Sequence, residues 1–172
     1  MKIQDQKCYH IFNRGNNKGP IFFSPHNYDY FLYKFNKYVG PYSEVYAYSL
    51  MPNHFHFALK VNDKKKFEQG IKNFFISYVK SINTVYDRVG GLFQGRYKAI
   101  EVNSDLYFES LIRYIHSNAV TAQLVDRLED HEFSSYNDYL YNTKTFISKD
   151  KVLEHFGGIE NFLAYHNNIS EN

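Results

Sequence analysis

The stretch Leu50–Val61, LMPNHFHFALKV, decides the fold of this chain. It is rich in strand-forming residues, and successive side chains of a strand point to opposite faces of the sheet. His54, His56 and Ala58 therefore share one face. The other face is apolar and consists of Phe55, Phe57, Leu59 and Val61. The pattern predicts a strand that places two imidazoles side by side.

The residues before this strand predict its partner. Residues 43–51, SEVYAYSLM, are also typical of a strand, and Pro52-Asn53 separates the two segments. Because proline is poorly tolerated inside a central strand, we place a turn at Pro52-Asn53. The two strands then form an antiparallel hairpin.

The remaining elements follow one another closely. We predict a strand over residues 7–15, a helix from Ser24-Pro25 to Gly40-Pro41, a helix from Asp63 to Gly90-Gly91, a strand over residues 92–102, and a helix from Ser104 to about Val120. This order matches an α+β fold, a ferredoxin-like antiparallel four-stranded sheet with helices packed on one face.

The domain organisation is predicted to be simple. A chain of 172 residues, 44% of them hydrophobic, is the size of one domain, since domains usually run to roughly 100–200 residues. We assign residues 1–125 to the main domain. Residues 126–172 contain two short helical patterns, SKDKVLEHF and GIENFLAYHNN, and are expected to form a C-terminal helical extension packed on the same domain.

Composition limits the function classes. The net charge of +2 and a pI of about 8.4 permit a polyanionic partner without demanding one. The single cysteine, Cys8, excludes an intramolecular disulfide and a multi-cysteine zinc site. We see no signal peptide and no apolar run of the roughly 20 residues that a membrane helix needs, so we expect a cytoplasmic protein without membrane contact.

The histidine pair has two interpretations. His54 and His56 either lie on a partly exposed polar face or bind a metal with a third ligand, oxygen ligands favouring Mg²⁺ or Mn²⁺. The last predicted helix contains LIRYIHSNAV, in which Tyr114 and Asn118 share a face one turn apart. Tyr114 is a candidate nucleophile and Asn118 a candidate metal ligand. The alternative for Tyr114, in a chain with 17 tyrosines, is a packing role at the edge of the hydrophobic core.

Four segments, in order over residues 8–140, resemble a known family. They are YHIFNRGNNKGPIFF, AYSLMPNHFHFALK, GLFQGRYKAIEVNSDLYFESLIRYIHSNAV and HEFSSYNDYL. The chain resembles the Y1 tyrosine transposases of the IS200/IS605 type, which are HUH-fold single-strand nucleases, and most closely their REP-associated branch. Two departures are Ala119, where the family usually has proline, and Phe133, where it often has tryptophan.

The resemblance implies a site and a reaction. His54, His56 and Asn118 would be ligands of Mg²⁺ or Mn²⁺, and Tyr114 would be the nucleophile. The enzyme would be a metal-dependent tyrosine transposase that cleaves and rejoins single-stranded DNA, with hairpins as targets, through a 5′-phosphotyrosine intermediate. It would need no nucleotide cofactor, and the closer branch favours a monomer over a homodimer.

The DNA-binding residues are less well specified. A cationic groove is expected for single-stranded DNA. The candidates are Arg14 and Lys18 in the NRGNNKG loop, Lys60, Arg96 and Lys98 on strands, and Arg113 beside the nucleophile. Each of these side chains has a second interpretation, that of a solvated surface charge without a DNA contact. The glycines of the NRGNNKG loop permit a close approach of nucleic acid to the backbone.

Two other functions stay open. One is a catalytically silent DNA-binding regulator derived from such a transposase. The other is a metal phosphoesterase that uses water. A phosphoesterase of the two-motif kind would need a second His-x-His or His-x-Ser/Thr strand, which the sequence lacks.

Overall fold

A computed structural model of the chain describes residues 3–141 and 145–167. The strands are β1 (Cys8–Arg14), β2 (Ser43–Met51), β3 (His54–Val61) and β4 (Lys98–Val102). The helices are α1 (Pro25–Tyr38), α2 (Lys64–Val85), α3 (Asp105–Thr121), α4 (Tyr136–Leu140), α5 (Lys149–Phe156) and α6 (Ile159–Asn167). The predicted hairpin of β2 and β3 is confirmed with the predicted bounds.

The strands form one antiparallel sheet in the order β2-β3-β1-β4. The sheet confirms the predicted α+β class. In the central pair, Arg14 lies opposite His54, and His10 lies opposite Ala58. Because residues opposite each other share a face, this register places His10 on the same face as His54 and His56.

The apolar face of the sheet is covered by α1 and α2. Phe57 of β3 stacks on Phe35 of α1 with ring centroids 3.9 Å apart, and Phe55 lies against Phe31. Phe74 of α2 closes the cluster edge-on against Phe35. All these rings are buried, so this layer is the main core.

The prediction that the helices pack on one face is wrong. Helix α3 contacts β2 and β3 on the opposite face, the face of His54 and His56. That face carries the small side chains of Ala47, Ser49 and Ala58, which leave room for a helix close to the sheet. The buried apolar side chains of α3 are Leu111, Ile112, Ile115 and Ala119.

Two predicted boundaries are also wrong. Strand β4 begins at Lys98 instead of residue 92, because the preceding segment turns at Gly95, which has a φ of 70°. Only an isolated bridge between Gly15 and Phe93 continues the sheet there. Helix α2 ends at Val85, before the predicted glycine pair, since Asp87 adopts a φ of 47°.

The C-terminal segments contact the same sheet and helix. Ser135, just before α4, accepts a hydrogen bond from the Tyr48 amide of β2. Lys151 of α5 pairs with Glu44 of β2 at 2.6 Å. His166 of α6 lies 2.9 Å from His116 of α3. None of the helices in the described ranges is long and apolar enough to cross a membrane.

Candidate active site

His54 begins β3, and its hydrogen bonds define its tautomer. The Asn53 side chain donates its Nδ2–H to the Lys18 carbonyl at 3.0 Å, so its Oδ1 faces His54 Nδ1 at 2.7 Å. An amide oxygen only accepts, so His54 donates from Nδ1 and keeps a lone pair on Nε2. This Nε2 lies 3.3 Å from Oδ1 of Asn118 on α3.

The pair of His54 Nε2 and Asn118 Oδ1 therefore consists of two acceptors. They repel each other unless a proton or a cation lies between them. Burial lowers the pKa of His54, although the Asn118 oxygen acts in the opposite direction, so a proton is disfavoured at neutral pH. The donor set fits a cation.

His56 is the second imidazole of this face and is buried. Its Nδ1 lies 2.8 Å from Nε2 of His10 on the neighbouring strand. Burial, aided by the nearby His10 and His54, lowers the pKa of His56 to about 3, and burial lowers that of His10 to about 4. Both rings are neutral at neutral pH, the form that a metal ligand requires.

Tyr114 lies on α3 above the two histidines. Its ring meets His56 edge-on with centroids 5.4 Å apart, and it meets His10 at 6.0 Å. The side chain is 48% exposed. Its hydroxyl has no hydrogen-bond partner in the described part of the chain. The structure thus brings Tyr114, His54, His56 and Asn118 to one face, with the phenol open to solvent.

The polar group that faces His54 from α3 is an amide. Within residues 3–141 and 145–167, no group of three or more His, Cys, Asp or Glu side chains is arranged to hold a metal ion. Asn118 is buried and faces His54, and α3 continues past the buried Ala119 to Thr121. The replacement of proline by alanine at position 119 thus leaves Asn118 directed at the site.

Three of the predicted basic residues lie at the same end of the sheet as His54. Arg14 is opposite His54 in the β1–β3 register, and its Nε donates to the Gln94 side chain. Lys18 is joined to this end through Asn53. Lys98 is exposed and holds its ammonium 5.9 Å from the ring centroid of Phe12, which itself stacks on His56.

The other three predicted basic residues lie elsewhere. Lys60 is six residues along β3 from His54, about 20 Å at the rise of a strand, and pairs with Glu44 at 3.9 Å. Arg96 lines a groove of about 1270 Å³ between α2 and the loop before β4. The guanidinium of Arg113 lies over the Tyr165 ring of α6 at 5.1 Å.

Two further positions clarify the site. Tyr97 stacks on Phe75 of α2 at 6.0 Å, so it lies on the opposite side of the sheet from His54 and His56. Gly15 is required by the NRGNNKG loop itself, because a Cβ there would lie 1.9 Å from the Gly19 carbonyl oxygen. A close approach within the loop thus explains this glycine.

Sequence reasoning missed His10. Its side chain reaches His56 only because β1 pairs with β3, and these strands are about 46 residues apart along the chain. The alternation in CYHIFNR indicates that His10 and Phe12 share a face, but nothing local identifies the strand that lies alongside.

The family described as "Transposase IS200 like" matches residues 4–118, more than half of the chain, and the chain belongs to this family. The family match confirms the predicted function class, a transposase and endonuclease of single-stranded DNA, and does not favour the silent regulator.

A similar fold occurs in a solved structure of a REP-associated tyrosine transposase bound to a REP hairpin. The TM-score is 0.66 at 14% identity, covering 85% of this chain and 86% of that one. A comparison with curated proteins found no match. At this identity the likeness shows a shared fold.

Proposed function

We propose that this transposase cleaves and rejoins single-stranded DNA through a covalent 5′-phosphotyrosine bond at Tyr114. The observation that carries the proposal is the exposed phenol of Tyr114 above His54 and His56, one helical turn from Asn118. A solvent-open nucleophile beside the buried His56 and Asn118 and the half-buried His54 suits a reaction on a large external phosphodiester.

The reaction is a transesterification. The Tyr114 oxygen attacks phosphorus, a new P–O bond to tyrosine forms, and the bond from phosphorus to O3′ breaks. The phenolic proton passes to solvent, and the leaving oxygen takes up a proton to become a free 3′-OH. Attack by another 3′-OH reverses the step and rejoins a strand. Since bond energy is conserved, the chemistry needs no nucleotide cofactor.

The residues that would hold a divalent cation are His54 through Nε2, His56, and Asn118 through Oδ1. The amide oxygen is a ligand suited to Mg²⁺ or Mn²⁺, and such an ion would offset negative charge on the scissile phosphate. Arg14 and Lys98 add fixed positive charge at the same end of the sheet and would hold the DNA backbone.

We further propose hairpin-bearing DNA as the substrate, which would place the chain in the REP-associated branch. The REP hairpin in the structurally similar transposase supports this choice, as does the grouping of Arg14, Lys18 and Lys98. The proposed enzyme is a cytoplasmic monomer. Residues 1–125 would form its catalytic domain, and 126–172 an extension held to it by the contacts of α4, α5 and α6.

A denaturing gel tests the proposal. The protein is incubated with labelled hairpin-bearing single-stranded DNA and Mg²⁺ or Mn²⁺. We expect a shifted covalent adduct in the wild type and in the control Tyr97→Phe. Cleavage without an adduct would indicate a hydrolase, and binding without cleavage would indicate a regulator. Light scattering of the free protein tests the monomer separately.

A further inference from the structure

His10 lies on the same face of the sheet as the proposed ligands but is not one of them. It is buried, its Nε2 is 2.8 Å from His56 Nδ1, and the two rings are stacked with centroids 5.0 Å apart. Its other ring neighbours in the described ranges are Phe12 on its own strand and Tyr114 on α3. The His10 side chain is therefore directed at the Nδ1 edge of the His56 ring.

One hydrogen bond between two imidazoles uses a single proton. If that proton is on His10 Nε2, then neutral His56 must carry its own proton on Nε2, where it blocks ligation. If it is on His56 Nδ1, then His56 Nε2 is a free lone pair and His10 carries its proton on Nδ1. The position of one proton decides whether His56 can be a ligand.

We propose that His10 is a positioning residue that holds His56 in its Nδ1–H tautomer and thereby presents His56 Nε2 to the cation site. The inference rests on the proposed function, because it assumes that His56 is a ligand, and it adds a residue outside that ligand set. The partner of a ligating histidine's second nitrogen typically contributes 10–100-fold in metal affinity.

Two features distinguish this role from its alternatives. A direct ligand role for His10 conflicts with its engaged Nε2 and with the lack of any grouped three-histidine set in the described ranges. A purely packing role predicts that an aromatic ring of similar size replaces it without effect on metal. Asn53 provides an internal parallel, since its oxygen accepts from Nδ1 of His54 and leaves that Nε2 free as well.

The test measures Mn²⁺ binding to the full chain without DNA, by the EPR signal of free Mn²⁺. His10→Phe keeps an aromatic ring and removes the acceptor, and we expect a 10–100-fold weaker Kd. His10→Gln restores an acceptor oxygen and should recover part of the affinity. Phe12→Leu is the matched control, because it alters the other ring stacked on His56 but no hydrogen bond, and its Kd should stay near that of the wild type.

A second measurement does not depend on how well the variants fold. Nitrogen-15 NMR of wild-type imidazoles with diamagnetic Mg²⁺ should show His56 protonated at Nδ1. An Nε2-protonated His56 in the presence of the ion, an unchanged Kd in His10→Phe, or no Mn²⁺ binding by the wild type would each overturn the inference. If Mn²⁺ binding depends on His10 but no DNA adduct forms, the proposed function fails while the role of His10 stands.

Discussion

The buried pair of His116 and His166 predicts that the protein loses stability in mild acid. His166 donates from Nδ1 to the Phe162 carbonyl at 2.7 Å, so its Nε2 accepts from His116 Nδ1–H at 2.9 Å. His116 Nε2 then accepts from the Ser135 hydroxyl at 2.9 Å. Every nitrogen is used with both rings neutral, and the charge of an added proton would be buried among aromatic rings.

The size of this loss in stability follows from the pKa of His166. Burial lowers this pKa from 6.5 to about 4, with a smaller lowering by the positive charge of Arg113. A difference of this size corresponds to roughly 3 kcal/mol of stability. Since the unfolded chain takes up the proton first, this stability is present above pH 6.5 and is lost as the pH falls towards 4. Burial also lowers the pKa of His116, which adds to the loss.

Urea unfolding followed by far-UV circular dichroism between pH 7.5 and 4.5 tests this prediction. The substitution His166→Gln removes one titrating ring. It should reduce the slope of unfolding free energy against pH by up to about 1.4 kcal/mol per unit, at unchanged m-value. His26→Gln, at an exposed position of α1, should keep the wild-type slope. Equal slopes for wild type and His166→Gln would refute the reasoning.

Three further perturbations address DNA binding and cleavage. Gly15→Ala forces a Cβ against the Gly19 carbonyl, so hairpin affinity measured by fluorescence anisotropy should fall while the circular dichroism spectrum is kept; an unchanged Kd would contradict this. His54→Ala should abolish cation-dependent cleavage but keep most hairpin binding, since backbone contacts supply most of the affinity, and full wild-type cleavage in EDTA would sink the metal assignment. Lys98→Ala should reduce the slope of log K for hairpin binding against log salt concentration by about 0.7. Lys60→Ala should leave this slope unchanged, because Lys60 pairs with Glu44 in the wild type, and equal effects of the two substitutions would contradict this distinction.

Much of the fold is readable from local patterns. The alternation in β2 and β3 and the proline between them predict the hairpin with its bounds, because both signals act within a few residues. The caps are equally local: Asp63 accepts from the Lys66 amide and Ser104 from the Tyr107 amide, as capping residues do. The spacing of Tyr114 and Asn118 needs only the period of a helix.

The rest depends on contacts between distant segments. The sequence shows that His54 and His56 share a face, but not that α3 covers this face while α1 and α2 cover the other. The partners His10–His56 and His116–His166 are separated by 46 and 50 residues. Strand register and helix docking bring them together, and neither is encoded in a local period.

The account depends most on Tyr114 as the covalent nucleophile. The direct measurement is mass spectrometry of the protein–DNA adduct after proteolysis, performed on the wild type and on Tyr114→Phe. We predict a nucleotide on the fragment containing Tyr114, and no adduct in Tyr114→Phe, which loses one oxygen while keeping hairpin binding. A nucleotide on Tyr97, or an adduct that persists in Tyr114→Phe, would contradict the account.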